Sequence, residues 1–254
     1  MLKQVLRVLG LIWVAVSAPL VFLLCVLPVS LMAAPLPLVP RVGLVRRGWQ
    51  AFGYFTIKYS TFATMHIEDK RPSELRGYPF RGLYIANHQS YMDIPLILSQ
   101  YQVPPIMKKE VLYLPVLGFL GWVSGALVVS RGKRDSRKKV FVKARERLVT
   151  QNFGLQYYPE GTRSRDGKPK DFADLKVTLM HLAFEENIPI IPVSMYGTSH
   201  ILKHGDFIHF GKKVGIITHP PLEPKNFTSA NEFARAAWDV VKQGHSELAS
   251  KLQN

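Results

Sequence analysis

Two short segments carry the residues whose types and spacing could do chemistry. Asn87-His88-Gln89-Ser90-Tyr91-Met92-Asp93 sets an imidazole five positions ahead of a carboxylate. Tyr158-Pro159-Glu160-Gly161-Thr162-Arg163-Ser164 brings a carboxylate, a glycine and an arginine into one tight turn. An imidazole can take up a proton near neutrality, and a carboxylate on its other nitrogen fixes the tautomer and steadies the imidazolium. A guanidinium fork matches phosphate oxygens. The two segments together offer a base, its orienting partner and an anion site.

The spacing dictates which elements must position the pair. Residues i and i+5 on a regular helix stand about 140° apart, given roughly 3.6 residues per turn. His88 and Asp93 therefore pair only if His88 lies in the loop ahead of a helix and Asp93 in its first turn. The flanks fit. Arg81-Gly82-Leu83-Tyr84-Ile85-Ala86 reads as a short buried strand, and Ile94-Pro95-Leu96-Ile97-Leu98 as a helix start with Pro95 tolerated near its N-terminus. Ser90 lies two residues from His88 but lacks the G-x-S-x-G elbow of a serine nucleophile.

In these blocks the sequence resembles the glycerolipid acyltransferases, and among them the bacterial-type 1-acyl-sn-glycerol-3-phosphate (lysophosphatidic acid) acyltransferases. His88 and Asp93 match the catalytic pair of that family's first block, N-H-x-S-x-x-D. Gly125-Ala126-Leu127-Val128-Val129-Ser130-Arg131 matches the second, with Val128 where an aromatic is common. Tyr158 to Ser164 matches the third and Ile188-Pro189-Ile190-Ile191-Pro192-Val193 the fourth, while Lys108 aligns with a basic position. The likeness spans roughly residues 75 to 220. One departure follows the third block: the family usually continues Phe-Lys-x-Gly, whereas this chain runs Asp171-Phe172-Ala173-Asp174-Leu175-Lys176 without a glycine. The departure bears on the pocket wall and hence on which glycerolipid is accepted.

The resemblance implies direct acyl transfer. His88 Nε2 would remove the proton of the acceptor hydroxyl as it attacks a thioester carbonyl, with Asp93 steadying the imidazolium. Arg163, with Lys108 and Arg131, would hold the acceptor phosphate. Glu160 would position the glycerol or the neighbouring basic residues. Amides near Gly161 would cradle phosphate or the thioester oxygen, and Asn87 and Thr162 join the substrate-binding set. The expected acceptor is lysophosphatidic acid, the donor acyl-CoA or acyl carrier protein, and no cofactor is expected. Rival acceptors are another lysophospholipid, a lyso-ornithine lipid or glycerol-3-phosphate. A rival of another class is a non-enzymatic protein that binds anionic lipid, which would have no need of the His88 and Asp93 pair.

The rest of the chain fits one α/β domain carrying a mostly parallel sheet flanked by helices. Strand candidates are Leu83–Ala86, Val103–Met107, Ala126–Val129, Leu155–Tyr158, Ile190–Met195 and Val214–Thr218. Helices are expected over Ser136–Thr150, Asp174–Glu186 and Ser229–Leu252. The expected division is 1–68 as an N-terminal membrane-anchoring helical segment and 69–254 as the acyltransferase domain.

Residues 8 to 40 contain no charged side chain. That run exceeds the ~20 residues needed to cross a bilayer. Pro19, Pro28, Pro35, Pro37 and Pro40 argue against one straight helix through all of it. Next comes a stripe of Val45, Trp49, Phe52, Phe55, Tyr59, Phe62 and Met65 at spacings of three or four, with Arg46, Arg47 and Lys58 off it. A retained anchor is favoured over a cleaved signal peptide, since Met32-Ala33-Ala34 makes a poor cleavage site. A spanning helix and a two-helix hairpin both remain open. The inner membrane, with the catalytic domain on its cytoplasmic side, is the expected location.

The formal net charge of +15 calls for an anionic partner. No nucleic-acid reader motif is visible and the basic residues are dispersed, so an anionic membrane and phosphate-bearing substrates account for the charge. The densest run, Arg131 to Lys139, reads mainly as a solvated helix start. Cys25 is the single cysteine, which rules out an intrachain disulfide, and the histidines show no metal-ligand spacing.

Overall fold

A backbone that meets lipid must satisfy its own hydrogen bonds, and the uncharged N-terminal run does so as helix. The structure is a computed structural model that describes residues 2–130, 134–203 and 206–253, with side chains at all of these but 2–7, 25, 115–117, 134 and 137. Helix α1 (Leu2–Val21), a π-helical turn (Phe22–Val26) and α2 (Leu27–Ala33) follow one another without a break. Pro19 and Pro28 are carried inside this helix, yet no single helix runs through all of residues 8–40. Pro28 falls just after the π-helical turn, where the hydrogen-bond ladder changes register and a proline is accommodated inside the continuous helix. The chain reverses only at residues 34–37, and Pro37 caps α3 (Leu38–Phe55), which runs on through a second π-helical turn (Thr56–Ser60).

The two arms form an antiparallel hairpin. Trp13 Nε1 donates to Tyr59 O (3.1 Å), the Ser17 and Ser60 hydroxyls meet at 2.9 Å, and Trp49 Nε1 donates to Ser30 Oγ (3.1 Å). Phe22, Val26 and Ala33 pack inside against Val45, Trp49 and Phe52. Val16, Leu20 and Leu24 face outward and are exposed. The stretch Val8–Ala33 is long and apolar enough to cross a membrane.

The remaining elements are β1 (Thr64–Asp69), β2 (Leu83–Ala86), α4 (Asp93–Leu98), β3 (Ile106–Lys108), α5 (Pro115–Ser124), β4 (Leu127–Val129), α6 (Arg134–Arg145), β5 (Leu155–Tyr157), α7 (Thr178–Glu185), β6 (Ile190–Tyr196), α8 (Thr198–Ile201), β7 (Lys213–Thr218) and α9 (Ala230–Gln253). The main sheet has the order β1-β7-β6-β2-β5, and only its β6–β7 pair is antiparallel. β3 and β4 pair in parallel beside it, joined to β5 through a parallel bridge between Pro105 and Gln156. The mostly parallel α/β architecture is therefore present. β2 has a core on each face: Leu83 and Ile85 pack with Met180, Phe233 and Trp238, while Tyr84 and Ala86 pack with Leu96, Tyr101 and Met195. Its four residues are all buried, as a central parallel strand requires.

Three expectations are revised. The strand expected at Val103–Met107 starts at Ile106, because Pro104 and Pro105 have no N–H to give a ladder and offer only carbonyls, to Gln156 N and Leu127 N. The boundary at 68/69 falls inside β1, which starts at Thr64 and pairs with β7, so the helical stripe ends before Met65. α5 was not foreseen: it is apolar on nearly every side and carries no period. It seats Leu120 and Val123 against the hairpin core.

Candidate active site

Parallel strands place their carboxyl ends along one edge, where open α/β sheets hold their ligands. β2 ends at Ala86 and releases Asn87-His88; β5 beside it, with Ile85 opposite Tyr157, releases Tyr158-Pro159-Glu160. β6 on the other side ends at Tyr196 and releases Gly197-Thr198. β3, parallel to β5 through the Pro105–Gln156 bridge, ends on Lys108 at the same edge. Arg131, two residues past β4, lies outside the described residues.

His88 is in the loop and Asp93 opens α4. His88 Nδ1 lies 2.7 Å from Asp93 Oδ2. The same oxygen accepts the Gln89 and Ser90 amides at 2.7 and 2.9 Å, and Oδ1 accepts the Thr198 hydroxyl. Asp93 is wholly buried. A carboxylate that accepts from Nδ1–H leaves Nε2 as the basic nitrogen, and Nε2 has no protein partner among the described residues. The imidazole stacks on the Tyr158 ring, centroids 4.2 Å apart, and stays partly open to solvent. Ser90 is committed elsewhere: its hydroxyl donates to Leu202 O (2.6 Å) and accepts from Met92 N.

The third block is tied directly to this loop. Ser164 N donates to His88 O (2.7 Å), and Glu160 Oε1 accepts His88 N (2.9 Å). Glu160 Oε2 is buried with no hydrogen-bond partner among the described residues. Burial pushes the Glu160 carboxyl up to about 7, against the opposing pull of the His88 amide and Lys170. Gly161 has φ of 65°, a left-handed turn that favours glycine, and the Lys176 ammonium lies over it, 2.9 Å from where a Cβ would stand. Lys170 Nζ reaches the Glu160 carbonyl (3.4 Å) and the Thr162 hydroxyl (3.1 Å). The Arg163 guanidinium lies over the Tyr91 ring, 3.8 Å from its centroid.

Asn87 is a correction. Its side-chain amide donates to Met195 O (2.9 Å) and accepts from Met195 N (2.8 Å), in full burial. One donor and one acceptor of this buried amide are thus used on β6, so Asn87 braces β2 against β6 in place of the expected substrate contact. Residues that the motifs did not name also build the site. Thr198 and Gln89 bond to each other (3.1 Å) behind Asp93, and Tyr91, Lys170 and Lys176 surround the third block. Lys170 and Lys176 stood close after that block in the sequence, whereas Thr198 gave no sequence signal, being 105 residues from its partner.

An imidazole held by a buried carboxylate thus lies beside a turn that carries Arg163, with Lys170 and Lys176 against it, the groups needed to take up a proton next to an anion. The Acyltransferase family model matches residues 64–196, and the chain belongs to that family. It is similar to the 1-acyl-sn-glycerol-3-phosphate acyltransferase of Escherichia coli (strain K12), 25% identical over 79% of this chain and 81% of the relative. The enzyme of the same name from Haemophilus influenzae is 26% identical over 84% of this chain and 85% of its own. Among solved structures, the 1-acyl-sn-glycerophosphate (LPA) acyltransferase PlsC of Thermotoga maritima superposes with a TM-score of 0.79 at 28% identity, over 97% of this chain and 98% of that one.

Proposed function

We propose that this chain transfers a fatty acyl group from a thioester donor to the free hydroxyl of 1-acyl-sn-glycerol-3-phosphate, giving phosphatidic acid. The observation that carries the reading is the contact of 2.7 Å between His88 Nδ1 and buried Asp93 Oδ2, with Nε2 left to work. Nε2 takes the proton of the acceptor hydroxyl as that oxygen attacks the thioester carbonyl. The thiolate of the donor leaves when the tetrahedral adduct collapses, and the imidazolium, steadied by Asp93, supplies its proton. Arg163, Lys170 and Lys176 neutralise the acceptor phosphate, with Lys108 along the same edge. Arg131 shares that role on the strength of its place in the second block. Glu160 acts through the His88 amide. The hairpin holds the domain at a membrane, where the acceptor resides.

The test is acyl transfer by the purified protein, with a panel of lysophosphatidate, other lysophospholipids, lyso-ornithine lipid and glycerol-3-phosphate, each offered acyl-CoA and acyl carrier protein donors. Lysophosphatidate should be used best. His88→Ala should abolish turnover and Asp93→Asn should lower it strongly, since positioned general-base catalysis contributes ~10²–10⁴ in rate. A His88→Ala variant that kept a tenth of the wild-type rate would sink the general-base assignment.

A further inference from the structure

At the turn of the hairpin two arginines are near enough to repel each other. Arg41, in the first turn of α3, donates Nη1 to Ala34 O (3.1 Å). Arg147, in the π-helical turn that continues α6 (Glu146–Thr150), donates Nη1 to Gly125 O (2.5 Å). Leu38 leans on the same Gly125. The hairpin turn, the α5–β4 turn and the end of α6 are thus drawn round the pair. Each side chain is half-buried, and each Nε is shut off from solvent with no hydrogen-bond partner among the described residues. Neither guanidinium makes an ion pair among the described residues. Burial pulls Arg147 down to about 10, and repulsion from Arg41 adds to this against the opposing pull of Glu146. The Glu146 carboxylate is exposed and accepts from Gln151 (3.4 Å).

A guanidinium carries five N–H donors and no acceptor, so most of this pair's donors are unspent. Two partly desolvated like charges are unfavourable unless an anion joins them, and the forked geometry fits an oxyanion with several oxygens. The place is also distinct from the catalytic turn. Gly125 precedes β4 and Arg147 precedes β5, so the pair stands at the amino edge of strands whose carboxyl edge carries His88 and Glu160.

We propose that Arg41 and Arg147 form a second phosphate-binding site at the turn of the helical hairpin, separate from the acceptor site. Its ligand is a phosphoryl oxyanion, supplied by a lipid headgroup lodged against the hairpin or by free phosphate. The full chain in neutral detergent provides the test, its thermal unfolding followed with inorganic phosphate and, separately, with phosphatidylglycerol added to the micelles. The midpoint should rise in at least one arm, and the arm that responds names the source. Arg163→Ala, which removes a cation from the catalytic turn, should keep the rise. Arg147→Gln and Arg41→Gln should each weaken the apparent affinity for the responding anion roughly ten-fold or more, as loss of a charge-assisted contact requires. Should Arg147→Gln fail to fold through loss of its bond to Gly125, Arg41→Gln decides alone. The site is overturned if neither anion raises the midpoint, if the rise disappears with Arg163→Ala, or if Arg41→Gln keeps it in full.

Discussion

Arg163 rests on the Tyr91 ring, which holds its fork in one plane at the mouth of the turn that also carries Glu160. A lysophosphatidate phosphate has close to two negative charges at neutral pH. Arg163→Ala should therefore weaken use of the acceptor ten- to a hundred-fold, from ~1.5–3 kcal/mol for a charge-assisted contact. Lysine should rescue it only in part, and the donor KM should move much less. Equal losses for donor and acceptor would reassign Arg163. Glu160 leads to a pH prediction with a definite sign. Its carboxyl is raised to about 7, first by burial, above the ordinary ~4.3 of an unfolded chain. The folded state thus binds more protons between those values, so this contribution is complete below the unfolded pKa and is lost as pH rises through about 7. Glu160→Gln cannot ionise and keeps an oxygen for the His88 amide. From about pH 5 to about pH 8 its stability relative to wild type should grow by something on the order of 3 kcal/mol. A difference that stayed flat in urea titrations across that range would remove the claim.

At the scale of elements, α9 packs along β6, and Gly244 is one of the points where they meet. An ordinary Gly→Ala change inside a helix gains up to ~1 kcal/mol. Here a Cβ would stand 2.3 Å from Ser194 Oγ and 2.5 Å from His219 Nε2. Both are buried, bonded to each other at 2.8 Å, and Ser194 also donates to Val241 O. Overpacking of this kind costs ~1–3 kcal/mol, so the clash outweighs the helix propensity. Gly244→Ala should lower the urea midpoint, whereas a rise would show that α9 can shift away from the sheet. The same elements show what a sequence displays and what it hides. β2, β5 and the His88 loop were legible because their signals are local: a buried apolar run, a turn, and a base five residues from its carboxylate. The support of that carboxylate was not, since Thr198 reaches Asp93 only after β6 has aligned with β2. Asn87 is expected as a ligand from its place in the first block, and only the register of β6 reveals that its amide bonds to Met195. α5 was hidden by burial on several sides, which erases the period that betrays an amphipathic helix.

For the whole molecule, the hairpin is both part of the core and a lipid-compatible surface, and the two roles fall on different faces. The inner face of α1 and α2 covers Val45, Trp49, Phe52, Leu120 and Val123. Deleting residues 2–33 would strip that cover and confuse folding with membrane binding. The outer face carries Val16, Leu20 and Leu24 at one helical spacing, all exposed. A charge placed there can stay in water or detergent but meets hydrocarbon in a bilayer, where each costs ~2.5–3.5 kcal/mol. The double variant Val16→Glu with Leu24→Glu should therefore unfold in detergent at the wild-type midpoint. Its partition into phospholipid vesicles should fall by on the order of a thousand-fold or more. Turnover of an acceptor embedded in vesicles should fall with the partition, while turnover of a soluble short-chain lysophosphatidate should stay near wild type. Cosedimentation with vesicles and the two assays check it together. Loss of the soluble reaction as well would mean that the outer face contributes to the catalytic domain itself, and retention of full vesicle binding would place the membrane contact on another surface.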